Sequence, residues 1–490
     1  MSATIIVLGA TGDLTRRYLL PGIAQLVAGG QLGDDVLLVG VAQDDLDDTS
    51  FRAQVAERLE QTAGQVDAGV REAVAAGSRY VRGDVTSTET LAAALAVPAT
   101  VDRHDAEEPV VLYLALPHVL FEPVVEALAG CALPPQLRVV VEKPFGEDLA
   151  GAKSLNAALA RVLREEQVFR VDHFLAKQTV LNLLGLRFAN RVFEPLWTSR
   201  EVAAIDIVFD ETVDAQERAA YYDRSGALRD MVQNHLLQML TLIAMEEPAS
   251  LDPADLSARK VEVLRAVPTM SRAEVDARTV RGRYTAGSVT GRDGSRDVAA
   301  YTDAPGVEAG RDTETHAEVV LHVETPRWHG VPFRLRTGKA LERDRREVVV
   351  HFRPMPGSVF DDAAPNELRL ELDPDKMFLR INVNGIGDPF DLETVELDLE
   401  LPRQVPTPYG QLILAILEGD TRLSARAEEA EEAWRIVEPI LAAWADGASP
   451  LREYAAGSDG PAGDDVGSDS VGASEGGDEP PEQPDETRQA

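Results

Sequence analysis

A chain of 490 residues, 44% hydrophobic with a formal charge of −35, can bury a large core and exceeds one ordinary domain, so two domains are expected. The acidity disfavours nucleic acid or an anionic membrane as partner, because phosphate contacts need clustered Lys and Arg; an anionic substrate must meet a local positive pocket. No apolar run nears the roughly 20 residues of a membrane span, the N-terminus reads as a strand rather than a secretory signal, and the single cysteine, Cys131, excludes a disulfide framework or thiolate metal cage, so a cytoplasmic protein without a bound metal is expected.

Strand-like and helix-like patterns alternate through the first domain, expected over residues 1–175. Ala3 to Gly9 is a short β-branched run, Leu19 to Ala28 reads as a helix, Asp35 to Ala42 as a second strand and Phe51 to Thr62 as another helix. Val110 to Leu116 and Leu137 to Val141 are buried-strand candidates separated by the helical stretch Leu120 to Leu128, and Val168-Phe169 starts a further strand. This alternation predicts a parallel, doubly wound, Rossmann-like α/β sheet. From about Val202 the texture changes. Ile205 to Phe209, Thr315 to Glu324, Val331 to Arg336, Val348 to Phe352, Glu367 to Leu372 and Phe378 to Val383 alternate in polarity. They predict an α+β second domain, residues 176–455, built on a large, mainly antiparallel sheet. Helices at Leu228 to Met245 and Tyr409 to Glu418 are expected to cover that sheet, and Ser271 to Asp312 reads as a long charged connection. From about Gly457 the composition cannot offset the entropy of ordering, so residues 456–490 read as a disordered acidic tail.

Gly9-Ala10-Thr11-Gly12-Asp13-Leu14 follows the first strand and opens a helix. Glycine lets the backbone approach a diphosphate, and the positive end of the helix favours the anion, so a dinucleotide site is expected there, within reach of Arg16 and Arg17. The alternative is a bare turn with an exposed cation pair. Glu142-Lys143-Pro144-Phe145-Gly146 ends a buried strand, which puts Lys143 in the crevice where open α/β sheets bind ligands; a solvated loop lysine is the competing reading. Arg170-Val171-Asp172-His173-Phe174-Leu175-Ala176-Lys177 packs a carboxylate, an imidazole and cations into one turn, enough to hold a phosphate and orient a base, or simply a solvated turn. Asp230 to His235 lies in an apolar helix, with His235 one turn beyond Met231. It acts as a base if a carboxylate such as Asp172 holds its far nitrogen, and is otherwise a bonded core histidine. Gly338-Lys339 ends another strand, with Arg343, Arg345 and Arg346 beyond.

Taken in order, these motifs resemble those of the glucose-6-phosphate dehydrogenase family. Gly9 to Thr15, Glu142 to Gly146, Arg170 to Gln178, Phe193 to Trp197, Arg229 to Gln238 and Arg336 to Lys339 match its G-x-x-G-D-L, E-K-P-F-G, R-I-D-H-Y-L-G-K, F-E-P-x-W, R-D-M-x-Q-N-H-L-L-Q and R-T-G-K motifs, and the likeness spans roughly Thr4 to Trp444. The resemblance implies oxidation of D-glucose 6-phosphate at C1 to 6-phospho-D-glucono-1,5-lactone, with hydride transfer to NAD or NADP, as in the pentose phosphate pathway. It implies His235 as general base, Asp172 as its holder, His173 and Lys177 on the 6-phosphate, and Lys143, Glu211, Asp230 and Lys339 on the sugar. Gly9, Thr11, Gly12, Asp13, Leu14, Gln43, Asp44 and Lys143 would line the cofactor. A homodimer or homotetramer is implied as well.

The chain also departs from the pattern. Phe174 and Ala176 replace a tyrosine and a glycine, Asp344 stands where the family places Arg or Lys, and Asp373 replaces a glutamine before Pro374. Arg343 or Arg345 is expected to stand in for the missing cation. After the second strand the family carries an arginine that pairs with the 2′-phosphate of NADP; here Ala42 runs into Gln43-Asp44-Asp45, which favours NAD. Two rival functions remain open from sequence: a paralogue acting on another aldose or aldose phosphate, and a non-catalytic dinucleotide sensor or partner subunit.

Overall fold

The computed structural model describes residues 1–101, 107–291, 294–360, 363–373, 375–388, 390–401 and 404–462. Six strands, β1 (Thr4–Leu8), β2 (Leu37–Ala42), β3 (Ser78–Arg82), β4 (Val110–Leu114), β5 (Leu137–Glu142) and β6 (Val168–Val171), run parallel in the order 3-2-1-4-5-6. A central strand with helices on both faces has no polar side, which is why β1 and β4 read as unbroken apolar runs and are buried throughout. Helices Leu20–Ala28 and Asp48–Thr62 close one face; Thr88–Thr100, Phe121–Leu128 and Leu149–Val162 close the other. Strand order reverses between β1 and β4, so the crevice beyond their carboxyl ends is the natural ligand position.

The second sheet gathers β7 (Val202–Asp210), β8 (Thr279–Thr285), β11 (His316–His322), β12 (Pro332–Gly338), β13 (Arg345–Phe352), β14 (Glu367–Leu372), β15 (Asp375–Asn384), β16 (Leu392–Glu400) and β18 (Leu451–Ala455) in the order 16-15-14-13-7-12-11-8-18. Every pairing is antiparallel except β7 with β12 and β8 with β18. The intervening hairpin of β9 (Gly287–Gly291) and β10 (Gly294–Val298) stands apart, and β17 (Ser424–Ala425) joins the first sheet beside β6. Helical turns over Leu228–Ala244 and the helix Ala427–Ala445 pack on one face of the nine-stranded sheet and share its core with Ile205, Ile207, Leu335 and Val350. No described helix is long and apolar enough to cross a membrane.

Four expectations change. The helix Pro408–Glu418 does not cover the second sheet: Leu412, Ile413 and Ile416 pack on helix Leu20–Ala28 of the first domain. Its apolar stripe names a buried face without naming the neighbour, and the close approach depends on Gly22 facing the Gly410 backbone. The chain therefore returns to the first sheet late, and the division at residue 175 is not a clean cut. Ser271 to Asp312 is largely ordered, with helix Arg272–Arg278, β8 and the hairpin; β8 was hidden because Arg281 is buried inside it, donating to the carbonyls of Ser449 and Trp444. Of the residues assigned to the tail, Ala456 to Asp459 are bonded to the second domain. Gly457 N–H donates to Ala340 O (2.8 Å), and Asp459 pairs with Arg336 and Arg345. The rest of that segment from residue 463 lies outside the described residues.

Candidate active site

Asp172 follows the last residue of β6, so its carboxylate stands at the carboxyl edge of the first sheet. Oδ1 accepts the Phe174 N–H (2.9 Å) and the Nδ1–H of His235 (2.6 Å), and both side chains are almost wholly buried. Burial alone would raise the Asp172 pKa; the adjacent imidazole and these bonds outweigh it and hold it at about 2. An ionised acceptor fixes the tautomer of His235, leaving Nε2 free to take a proton. Burial lowers the His235 pKa below 6.5, and Asp172 opposes that shift.

The segment carrying His235 is not the α-helix its sequence suggests. Leu228–Leu236 is wound as a π-helix, whose i→i+5 bonding stacks residues five apart, so Asp230 and His235 turn toward one side. The segment starts beyond Gly226, at φ 67°, where a Cβ would lie 2.4 Å from the Glu314 carboxylate; that carboxylate accepts the Leu228 N–H (3.0 Å). Lys143, just past β5, donates to the Asp230 backbone carbonyl (2.8 Å) and to its carboxylate (3.1 Å). Burial would raise the Asp230 pKa, but Lys143 and then Lys339 pull it down to about 2.

β7 and β12 are parallel neighbours with Asp210 opposite Gly338, so the residues that follow, Glu211 and Lys339, meet as an ion pair at the sheet edge. Lys177 lies nearby with its ammonium 5.0 Å from the Phe174 ring centre. Burial, then the Arg346 charge, lowers its pKa. His173 is held near pKa 3 chiefly by burial, so it is a neutral imidazole with a buried, unpartnered Nδ1 rather than a second cation. Arg170, the other cation of the motif, points elsewhere and binds Asn156 and Glu165.

At the other end of the crevice Gly9 adopts φ 83°, and a Cβ there would come 2.4 Å from Ala115 O at the end of β4. Only glycine permits that approach, which sets the loop after β1 at the switch point, where a diphosphate meets backbone N–H groups in folds of this kind. Thr11 donates to Asp44 (2.7 Å), joining the loop after β1 to the end of β2, where Gln43 and Asp44 are exposed. Gly12 N–H returns to Gly9 O, and Leu14 packs against the first core. Arg16 and Arg17, their side chains about half exposed in the first helical turn, both pair with Asp13 (2.9 and 3.0 Å).

Several residues around the site escaped the sequence reading. Tyr409 arrives with the returning helix and stacks on His173 (5.4 Å) and on Tyr18 (4.8 Å). Glu142 is half-buried with the Tyr113 hydroxyl donating to it, and desolvation pushes its pKa up to about 7. Phe174, flagged only as a lost hydroxyl, lies against the His235 ring at 4.0 Å and excludes water from one face of the imidazole. The two arginines expected to replace the missing cation do not meet at the site: Arg345 binds Asp210 on the opposite face of the sheet and Arg343 is exposed, while Asp344 itself caps the Thr212 N–H (2.7 Å).

A glycine loop at the switch point of a Rossmann-like sheet and a buried histidine–aspartate pair at its carboxyl edge fit a nicotinamide-dependent dehydrogenase acting on CH–OH groups, and that is the class of the family matched. The chain belongs to the glucose-6-phosphate dehydrogenase family: its NAD binding domain matches residues 6–182 and its C-terminal domain residues 184–472. The chain is 38% identical over 466 residues to glucose-6-phosphate 1-dehydrogenase of Gluconobacter oxydans (strain 621H), covering 93% of this chain and 94% of that one. It is 37% identical over 468 residues to the enzyme so named from Mycolicibacterium smegmatis (strain ATCC 700084 / mc(2)155), with coverage of 93% and 94%. Among solved structures it superposes with a TM-score of 0.85 at 31% identity, covering 94% of this chain and 96% of the other, on a glucose-6-phosphate dehydrogenase in complex with glucose 6-phosphate. The Mycobacterium avium glucose-6-phosphate 1-dehydrogenase gives 0.80 at 36%, with coverage of 94% and 95%.

Proposed function

We propose that this chain oxidises C1 of D-glucose 6-phosphate to 6-phospho-D-glucono-1,5-lactone, with NAD preferred over NADP as hydride acceptor. The observation that carries the reading is the buried bond between His235 Nδ1 and Asp172 just beyond the carboxyl end of β6. His235 Nε2 takes the proton of the C1 hydroxyl, and the Asp172 carboxylate stabilises the imidazolium that results. The bound dinucleotide supplies the electrophilic carbon that receives the hydride. Lys143, Asp230, Glu211 and Lys339 orient the sugar through its hydroxyls, and Lys177 and His173 bind the phosphate, the former as a point charge.

The diphosphate is assigned to the loop of Gly9, Thr11, Gly12, Asp13 and Leu14, with Lys143 near the nicotinamide end. The NAD preference rests on charge at the end of β2. Asp44 follows β2 exposed and holds Thr11, and the cations near it are engaged: Arg82 by Asp45, Arg58 by the Ala10 and Thr11 carbonyls. A carboxylate there repels a 2′-phosphate and accepts a ribose hydroxyl. We place the reaction in the reducing cytoplasm, where the lone Cys131 thiol stays free.

A homodimer is part of the proposal. β16 is the last strand of the second sheet, and Met377, Leu379 and Ile381 lie directly opposite Leu399, Leu397 and Val395 on one face, with Leu397 and Leu399 about half exposed. A second copy brings the same stripe and buries both, as a two-fold interface requires. Sedimentation equilibrium should give a dimer or its tetramer for the native chain and a monomer after Leu397→Glu; a monomeric native chain at micromolar concentration removes the dimer.

Initial rates test the whole reading. With NAD, glucose 6-phosphate should exceed free glucose at least about 100-fold in kcat/KM, because each charge-assisted bond to the phosphate is worth roughly 1.5–3 kcal/mol. NADH formation should exceed NADPH formation, and Gln43→Arg should move the ratio toward NADP. Equal rates on glucose and its 6-phosphate defeat the substrate assignment; a native NADP preference defeats the cofactor assignment alone.

A further inference from the structure

We propose that in this chain the substrate's phosphate is bound by Arg346 together with Lys177, and that Asp373 is the resident counter-ion which the phosphate displaces. The proposal rests on the reading of the substrate as a sugar phosphate.

Strand geometry decides which arginine serves. In the antiparallel pairing of β13 with β7, Arg345 lies opposite Asp210 and Arg346 opposite Phe209. Directly opposed residues share a face and successive ones alternate. Arg345 therefore leaves the site with Asp210, whereas Arg346 stays with Phe209. The Arg346 guanidinium lies over the Phe209 ring at 5.1 Å. Phe209 is 4.9 Å from Phe174, and Phe174 touches His173 at 5.0 Å, His235 at 4.0 Å and the Lys177 ammonium at 5.0 Å. Arg346 and Lys177 thus flank one aromatic pair, next to the imidazole of the catalytic dyad.

The donors here are under-used. Arg346 Nε is buried without a partner, as is His173 Nδ1. The hydrogen bond of Lys177 to the Leu372 carbonyl is long, at 3.5 Å. Two cations drawn together at a partly buried position need an anion. Asp373 provides one charge, pairing with Arg346 at 2.6 Å, while Glu211 is 3.5 Å from Arg346 and already bound to Lys339. Asp373 is 43% exposed in the turn between β14 and β15, so it can swing out into water at small cost. A phosphate dianion satisfies both cations and offers oxygens to Nε, in the planar geometry that guanidinium favours and ammonium lacks.

The test is kcat/KM on glucose 6-phosphate divided by kcat/KM on free glucose, measured for the native enzyme, Arg346→Gln and Asp373→Asn. Losing one charge-assisted contact should lower that ratio about 10- to 100-fold in Arg346→Gln, chiefly through KM for the phosphorylated sugar. Asp373→Asn should lower that KM several-fold, since the competing anion is gone while the turn keeps its shape. Arg346→Gln within twofold of the native ratio, or an unchanged or higher KM in Asp373→Asn, overturns the inference and leaves the substrate reading standing. A native ratio near one overturns both. Should Arg346→Gln fail to fold, Arg346→Lys must show a reduced ratio, because the point charge remains and the fork is lost.

Discussion

Replacing His235 by Asn is expected to lower kcat by about 10²- to 10⁴-fold, the usual contribution of a positioned general base, while glucose 6-phosphate still binds within a few-fold of its native affinity. The side-chain amide of Asn can donate to Asp172 in place of Nδ1–H, so the buried carboxylate keeps a partner and the pocket keeps its shape. What is lost is the lone pair of Nε2. Solvent cannot substitute readily, because His235 is 1% exposed and Phe174 covers one face of its ring. Initial rates paired with calorimetric titration of the sugar phosphate separate the two effects. A loss below tenfold in kcat rules His235 out as the base.

The pH profile carries the same assignment. His235 must be neutral to accept a proton, and burial sets its pKa below 6.5. The acid limb of activity should therefore have its midpoint below pH 6.5, as the imidazole charges before substrate arrives. Asp172, at about 2, stays ionised across that range.

How far the sequence carries follows from what each element has to satisfy. The first sheet was legible because parallel strands covered on both faces leave no ambiguity of burial: β1 and β4 are apolar along almost their whole length, and β5 carries the buried run Val139 to Val141. β8 and β16 were not. One contains Arg281, buried because two backbone carbonyls take up its donors, and the other has polar and charged side chains on a strand that remains mostly exposed. The dyad could be named from motifs, yet its geometry could not. With α-helical spacing, residues five apart face different ways; only the π-helical winding behind Gly226 brings Asp230 and His235 onto one side. Register was equally out of reach. The run Arg343-Asp344-Arg345-Arg346 holds three arginines, and which one enters the site depends on a one-residue choice in the pairing with β7. Tyr409 is hidden for a third reason: it lies about 236 positions from His173 in the chain, and no local pattern announces that its helix returns to the first domain.

Asp172→Asn is expected to lower kcat/KM by about 10²- to 10⁴-fold and to shift the acid limb of the profile further down. Oδ1 accepts both the Phe174 N–H and the His235 Nδ1–H, so the Asn oxygen is retained at that place and the imidazole keeps its tautomer. The variant therefore isolates charge. Proton transfer then creates an imidazolium in a buried site with no adjacent carboxylate, and breaking a buried ion pair costs about 3–5 kcal/mol, which converts to the stated range at 1.36 kcal/mol per decade. The sign of the pH shift follows from the same interaction. Asp172 raises the His235 pKa against the effect of burial, so its removal leaves burial unopposed and the limb moves to lower pH. The new amide replaces Oδ2, which is buried without a partner, and its unpaired N–H groups should also reduce thermal stability. A purely structural aspartate would lower stability and leave the limb in place; a limb that stays fixed or moves upward in folded Asp172→Asn removes the carboxylate from the chemistry.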